Sequence, residues 1–322
     1  MIDRRSLLGA LASFPLLGTA ACASAMQRAA TGSGLHTRTI AGANDAVPVI
    51  GIGTARRFQG ASGEEQLAPL RAAVARFVEL GGRMIDTAPA YGNAEEVVGR
   101  LVAELGVRDR LFLATKVGAS NPEEGRAQIA QSFRNLRTDV MDLVAVHNMR
   151  DVTNQLALLR ELKAGGRIRS IGVTTSSRGG FAPPGAAAAS SAAEYAEFEA
   201  MMRRERLDVI QIDYALDNRG AGERVLPLAQ ERETAVMVNL PFGRGRLIQA
   251  TQGRPLPEWA AEIGAASWPQ IFLKYIVSHP SRPIAIPGMA QARYVDDNMA
   301  AARGPMPDAA MRRRMEQFID AL

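Results

Sequence analysis

Eight short apolar runs, separated by longer amphipathic or polar stretches, constrain this chain more than any other feature. They occupy residues 47–52, 83–86, 111–116, 141–147, 168–174, 209–214, 235–239 and 283–286. Runs this short, without a polar alternate face, read as strands buried on both sides. Between them, residues 67–80, 94–105, 122–136, 155–163 and 268–277 carry apolar positions at helical spacing. Asn121-Pro122-Glu123-Glu124 has the composition of a helix start: a cap, a proline in the first turn, then acids near the positive dipole end. Repeated strand–helix units build parallel sheets, and eight of them predict a closed α/β barrel, the (β/α)8 TIM fold, as one domain over residues 47–322. The rival, a doubly wound sheet, needs a glycine fingerprint. Gly51-Ile52-Gly53-Thr54-Ala55-Arg56 has neither the third glycine nor a helix behind it.

The first 25 residues have a different composition. Arg4 and Arg5 precede an apolar stretch that ends at Leu17, and small residues follow to Ala25. This is the pattern of a twin-arginine export signal, which makes the export machinery a partner and the protein periplasmic or otherwise exported. The apolar stretch, about a dozen residues, is too short to span a bilayer, and no transmembrane span is expected. Ala23-Ser24-Ala25 has the form of a cleavage site. Thr19-Ala20-Ala21-Cys22 resembles a lipoprotein box, the alternative that would leave a lipid anchor at Cys22. Cys22 is the only cysteine, so no intramolecular disulfide is available. Residues 26–46 are polar and rich in Gly and Ala, and read as a linker. Residues 176–193 read as a low-complexity loop after the fifth strand, on the barrel face that carries chemistry. The net charge of +5 is spread along the chain, and aromatics are only 5%. No basic block is interleaved with aromatics, which argues against nucleic-acid binding.

Polar residues close three consecutive strands: Asp86, Lys116 and His147. Tyr91 lies in a Pro/Gly-bounded turn after the second strand. In a parallel barrel, the C-terminal ends of neighbouring strands face one another. Of the 38 basic residues only Lys116, Lys163 and Lys274 are lysine, so a lysine at a strand end stands out; an amine shifts its pKa on burial and a guanidinium does not. An aspartate closing an apolar strand needs a partner. Tyrosine is a poor acid near neutral pH. A nearby ammonium favours its phenolate and eases proton donation, while an aspartate holds the lysine and a histidine orients a substrate oxygen. The set suits protonation of a carbonyl oxygen while another group delivers hydride to carbon. His36 and His279 read as structural, and no metal cluster is expected. Two rival readings use the same barrel: a non-catalytic ligand or redox-binding module, and a lyase that forms a Schiff base on Lys116.

Ile85-Asp86-Thr87-Ala88-Pro89-Ala90-Tyr91-Gly92, Ala114-Thr115-Lys116 and Val146-His147-Asn148 resemble the catalytic motifs of the aldo-keto reductase superfamily. The segments from Leu162 to Thr174 and from Ile286 to Asn298 are similar to that family as well, and the likeness runs from about Val47 to Ala302. It implies a barrel that reduces aldehydes and ketones with NADPH, with Tyr91 as the acid, Lys116 and Asp86 tuning it, and His147 orienting the carbonyl. It also implies cofactor contacts at Thr174, Gln211, Asn239, Leu240, Phe242, Gly243, Arg244, Gly288, Met289 and Asn298. Gln211 falls where the family holds the nicotinamide amide, and Asn298 at the adenine-contacting position. Thr174-Thr175 replaces a Ser-Asn pair. Asn239 stands where an aromatic often stacks on the nicotinamide, with Phe242 close in sequence. Phe242-Gly243-Arg244-Gly245-Arg246 suits pyrophosphate. Tyr294, with Arg293 beside it, takes the place of an arginine that meets the 2′-phosphate, and Gly288 replaces a lysine. The resemblance implies NADP(H) in preference to NAD(H), and a small carbonyl or alcohol substrate.

Overall fold

Strands and helices alternate until the sheet meets itself. A computed structural model describes residues 34–176 and 195–322. The export signal, Cys22, the start of the linker and nearly all of the 176–193 loop lie outside the described residues. A hairpin of β1 (Thr37–Arg38) and β2 (Val47–Pro48) comes first. The barrel strands are β3 (Ile52–Gly53), β4 (Met84–Asp86), β5 (Phe112–Val117), β6 (Met141–Val146), β7 (Ile168–Thr174), β8 (Val209–Asp213), β9 (Ala235–Asn239) and β10 (Ile284–Ala285). They pair in sequence order, all parallel, as an 8-stranded sheet. Parallel bridges Ile50–Ala285 and Gly53–Gly288 join its two ends and close the barrel.

Five of the helices match the amphipathic stretches: α1 (Glu64–Glu79), α2 (Ala94–Leu105), α3 (Pro122–Leu136), α4 (Val152–Ala164) and, between β9 and β10, Trp268–Val277. The start of α3 follows its sequence, with the Asn121 side chain accepting a hydrogen bond from the Glu124 N–H at 2.9 Å. Described helices outside those stretches are α5 (Ala196–Arg204), α6 (Val225–Glu231), α7 (Arg246–Ala250), α9 (Ala292–Ala300) and α10 (Ala309–Asp320), which makes Trp268–Val277 α8.

The expected first strand is corrected. Residues 47–52 are not one strand: Val47–Pro48 pairs backwards with Thr37–Arg38, and only then does the chain turn into the barrel. The linker expectation fails from Leu35 onwards for the same reason, since residues 35–322 form one compact unit. Ile40 and Val47 are buried in the apolar cluster that fills the barrel interior, alongside Met84, Leu143, Met237 and Ile284. The Ser170 hydroxyl also holds the Ala41 carbonyl at 2.6 Å. The lead-in therefore plugs the N-terminal mouth.

Side chains alternate across a strand with period two. Met84, Ala114, Leu143, Val209 and Met237 lie inside. Two residues further along each strand come Asp86, Lys116, Ala145, Gln211 and Asn239, and His147 follows Ala145 by two. An apolar lower layer thus carries a polar upper layer at the C-terminal ends.

Outside the sheet, α2 and α3 approach at Gly99, where an added Cβ would lie 2.8 Å from the Leu136 Cα and closer still to the Asn135 carbonyl oxygen. Gly99→Ala should therefore lower the unfolding free energy by about 1–3 kcal/mol through overpacking, despite alanine's better helix propensity. The urea midpoint reads this directly, and a midpoint at or above the parent's would show that the two helices separate freely.

Candidate active site

The end of β4 places Asp86 and the end of β5 places Lys116, both almost fully buried. The Lys116 ammonium donates to both Asp86 carboxylate oxygens at 2.8 Å and to the Thr87 carbonyl at 2.9 Å. The Gln211 amide, from β8, donates to the same carboxylate at 3.3 Å. Burial is the largest influence on Asp86 and raises its carboxyl above the usual range, against the opposing pull of the Lys116 charge and of the hydrogen bonds from Lys116 and Gln211. Burial also acts to lower Lys116, but Asp86 and Tyr91 outweigh it and leave the lysine raised. Lys116 is thus held as an ammonium. A Schiff base needs a free amine lone pair, so this geometry opposes the lyase reading.

Tyr91 sits in the turn between β4 and α2, with its N–H on the Ala88 carbonyl at 3.0 Å and Gly92 behind it at φ 58°. Asn93 fastens this turn to the one after β3: its side chain accepts from the Gly60 N–H at 2.6 Å and donates to the Ala61 carbonyl at 2.9 Å. The Lys116 Nζ lies 5.1 Å from the Tyr91 ring centroid, and the His147 ring stands edge-on to Tyr91 at 6.0 Å between centroids. Asp86, Lys116 and His147 at the strand ends and Tyr91 in its turn therefore meet in one place. One electrostatic expectation changes. Burial raises the Tyr91 phenol above its ordinary value and outweighs the lowering by Lys116, so the ligand-free site keeps Tyr91 protonated. Burial, then Lys116, pushes His147 down to about 4, so its imidazole is neutral at physiological pH.

The residues expected to hold cofactor lie on β7, β8 and β9, in the loops after β9 and β10, and on α9. The Thr174 hydroxyl accepts from the Asn148 N–H at 2.9 Å. Asn239 donates to the Ser176 hydroxyl at 3.3 Å, while its Oδ1 is buried without a hydrogen-bond partner. Phe242 packs edge-on against Phe272 at 6.4 Å between centroids, so its ring belongs to the core under the loop. Leu240, Gly243, Arg244 and Gly245 all have positive φ (50°, 54°, 57° and 99°), which turns the backbone sharply after β9. A Cβ on Gly243 would come within 2.6 Å of the Asp217 carboxylate and 2.7 Å of the Arg246 guanidinium. Met289 and Asn298 are buried.

Burial, then the charges of Arg56 and Arg246, lowers Arg244, so three guanidinium groups gather at this rim. Arg57 lies against Gly288, its Cγ 2.9 Å from where a Cβ would be, and brings a cation to the position that lacks lysine. Arg56 and Arg57 are additions to the expected set. They follow β3 directly, at the barrel end where loops carry chemistry, and that placement was available as a signal. Further out, the Arg293 guanidinium covers the exposed Tyr294 ring at 4.9 Å. Crowded cations, glycine-permitted backbone and a buried unpaired amide oxygen fit a dinucleotide with a pyrophosphate and an amide-bearing ring. No group of acidic, histidine and cysteine side chains able to hold a metal occurs among the described residues.

The sequence profile of the aldo/keto reductase family matches residues 49–317. Methylglyoxal reductase YeaE of Escherichia coli (strain K12) is 29% identical over 276 residues, 82% of this chain and 89% of the relative. Aldo-keto reductase yakc [NADP(+)] of Schizosaccharomyces pombe (strain 972 / ATCC 24843) is 25% identical over 317 residues, covering 84% and 88% of the two chains. Among solved structures, an aldo/keto reductase from Klebsiella pneumoniae in complex with NADP and acetate superposes with a TM-score of 0.69 at 25% identity, covering 88% of this chain and 95% of the other.

Two depressed histidines make stability depend on pH. Burial and Arg312 push His279 down to about 4, as burial and Lys116 do His147. As pH falls below the ordinary value of 6.5, the unfolded chain takes up these protons before the folded one. Their contribution is complete above that value and is lost as pH drops through about 4. Urea midpoints measured from pH 7 down to 4 should decline, and His279→Gln should flatten the decline; an unchanged slope in the variant would remove His279 from the account.

Proposed function

The chain belongs to the aldo/keto reductase family, and on that premise we propose that it interconverts a small aldehyde or ketone and the corresponding alcohol with NADP(H), in preference to NAD(H). The observation that carries this reading is the buried Asp86–Lys116 pair beside a protonated Tyr91 and a neutral His147. When bound, the nicotinamide supplies the hydride that goes to the carbonyl carbon. The His147 imidazole, being neutral, offers an N–H to the carbonyl oxygen and orients it. As charge builds on that oxygen, Tyr91 passes its phenolic proton to it. Lys116 keeps its own proton and opposes the negative charge left on the phenolate, while Asp86 fixes the ammonium in place. In the alcohol-to-carbonyl direction the phenolate takes the hydroxyl proton back.

Several features support the cofactor and substrate. The rim formed by Arg56, Arg244 and Arg246 suits pyrophosphate, and Arg293 stands by Tyr294 where a 2′-phosphate would need a cation. The K. pneumoniae relative was solved with NADP, the S. pombe relative is named for NADP(+), and the E. coli relative is named for methylglyoxal, a small reactive carbonyl compound. The sequence of residues 1–25 supports export through the twin-arginine route to the periplasm or beyond, with Cys22 as a lipid-anchoring alternative to cleavage after Ala25. That route accepts folded proteins, so cofactor seated before export would be carried across and could cycle between paired substrates.

Tyr91→Phe should cut carbonyl reduction by two to four orders of magnitude while nucleotide affinity stays near the parent's. Steady-state kinetics with fluorescence titration separates these, and retained turnover would favour the binding-module reading instead. In the parent, alcohol oxidation should climb with pH beyond the ordinary tyrosine range, because burial raises the Tyr91 phenol. For export, protein from the periplasmic fraction should release NADP(H) on denaturation, read by mass spectrometry; nucleotide-free protein there would sink the idea that cofactor travels with the chain.

A further inference from the structure

Glu95 is a carboxyl group shut inside the protein. It lies in the first turn of α2, four residues after Tyr91, and is 1% exposed. One oxygen accepts from the Thr115 hydroxyl at 2.6 Å and the other from the Asn135 side-chain amide at 3.2 Å, and among the described residues it makes no ion pair. The helix dipole does not require this, because Glu96 beside it already puts an acid in the first turn and stays exposed. Burying a carboxyl among neutral partners is costly compared with burying an apolar side chain. Its place therefore needs a reason other than helix formation.

Both donors are held ready for it. Thr115 comes just before Lys116 on β5, and neighbours on a strand point to opposite faces. The lysine enters the barrel, so the threonine faces the helix layer, where it too is buried. Asn135, near the end of α3, turns its amide N–H toward Glu95 because its Oδ1 already accepts from the Gln131 side chain at 2.6 Å. Gly99 stands one helical turn after Glu95, on the same face, and its lack of a side chain lets α3 come close.

These contacts join two members of the acid–base site from behind. Helix α2 starts on Tyr91 itself, with the Ala94 N–H donating to the Tyr91 carbonyl at 3.1 Å. Inside the barrel the Lys116 Nζ lies 5.1 Å from the Tyr91 ring centroid; on the helix side the Glu95–Thr115 hydrogen bond ties the same two segments. We propose that Glu95 is a positioning residue: by holding Thr115 it fixes the start of α2 to the end of β5, and so sets the Tyr91 phenol at its working distance from the Lys116 ammonium. This rests on the acid role proposed for Tyr91 above. Glu95 and Thr115 lie on the helix side of the sheet, and so act through Tyr91 and Lys116 rather than on the reacting atoms.

The test starts on β5, where the hydroxyl can be removed with little change of shape. Thr115→Val deletes the donor and Thr115→Ser keeps it. With propanal and NADPH as probes, Thr115→Val should lower kcat roughly tenfold, a fraction of what an ångström of misplacement can cost. KM and the NADP+ dissociation constant should stay near the parent's, since the lost interaction matters in the transition state alone. Thr115→Ser should recover most of the loss. On the α2 side, Glu95→Gln keeps an acceptor for the hydroxyl and should lose less than Glu95→Ala. The decisive comparison uses a chain that already lacks the phenol. Adding Thr115→Val to Tyr91→Phe should leave the residual rate unchanged, because no acid remains to be placed. Equal losses in the two backgrounds, or losses that follow the folded fraction read from urea melts, would make the contact structural and overturn the proposal. So would parental kcat in Thr115→Val. If Thr115→Val does not fold, Glu95→Gln against Glu95→Ala carries the same comparison in both backgrounds. Tyr91→Phe that turns over like the parent defeats the acid reading itself, an outcome distinct from failure at Glu95.

Discussion

The site depends on keeping an ammonium ion inside a protein. Lys116 has given up water on every side, and an isolated charge in that position would neutralise or unfold the chain. It stays because Asp86 offers both oxygens and Thr87 a carbonyl, all within 2.9 Å. Removing either partner from such a pair strands the other and typically costs about 3–5 kcal/mol. The barrel supplies the geometry without adjustment. The register of β4 on β5 sets Asp86 against Ala114, with Lys116 two residues further on the same face. The Asp86 carbonyl is itself fixed by the N–H and hydroxyl of Thr54, both at 3.0 Å, so the carboxylate leaves a strand end tied down on both sides.

Around this pair the interior divides into a dry floor and a polar ceiling, and both follow from period-two alternation on short parallel strands. Glycines matter where the ends of the barrel meet. Gly53 bridges Gly288 to close the ring, and a Cβ at Gly53 would lie 2.6 Å from the Ile286 carbonyl oxygen. The same close approach lets Arg57 lie over Gly288 and brings the turn after β3 beside the loop after β10. Closure of the barrel and assembly of the cationic rim are one packing event.

Much of this was legible along the chain, and the exceptions have physical causes. Helix 122–136 was readable to the residue because Asn121 caps it with proline in the first turn, and helix 268–277 from its apolar spacing. The meeting of Asp86, Tyr91, Lys116 and His147 was readable because each closes an apolar run or follows one within a tight turn. The hairpin of residues 37–48 was not, since apolar residues 47–52 look continuous and only the partner strand reveals the reversal. Helix α10 escaped because its buried residues are Arg312 and Met315 rather than an apolar stripe; Arg312 points inward to the Tyr214 hydroxyl at 2.9 Å. Arg56 and Arg57 had a sequence signal in their place after β3, but their neighbours Arg244 and Gly288 are far away in sequence. The raised Tyr91 phenol was hidden for a similar reason: its neighbours could be inferred, but the depth of its burial could not.

The floor under Tyr91 is preorganised, and the rim gathers cations. On the floor every charge has an opposite charge in contact, so little is gained there in ligand-free stability by adding a ligand. At the rim Arg244 is lowered by burial and by like charges from Arg56 and Arg246, and Arg246 is paired with Asp217 at 2.8 Å. A polyanion bound there would set opposite charge beside these cations and stabilise the fold by mass action. Preorganisation on the floor serves chemistry, where reorganisation would add to the barrier. A barrel built this way couples binding a dinucleotide to staying folded.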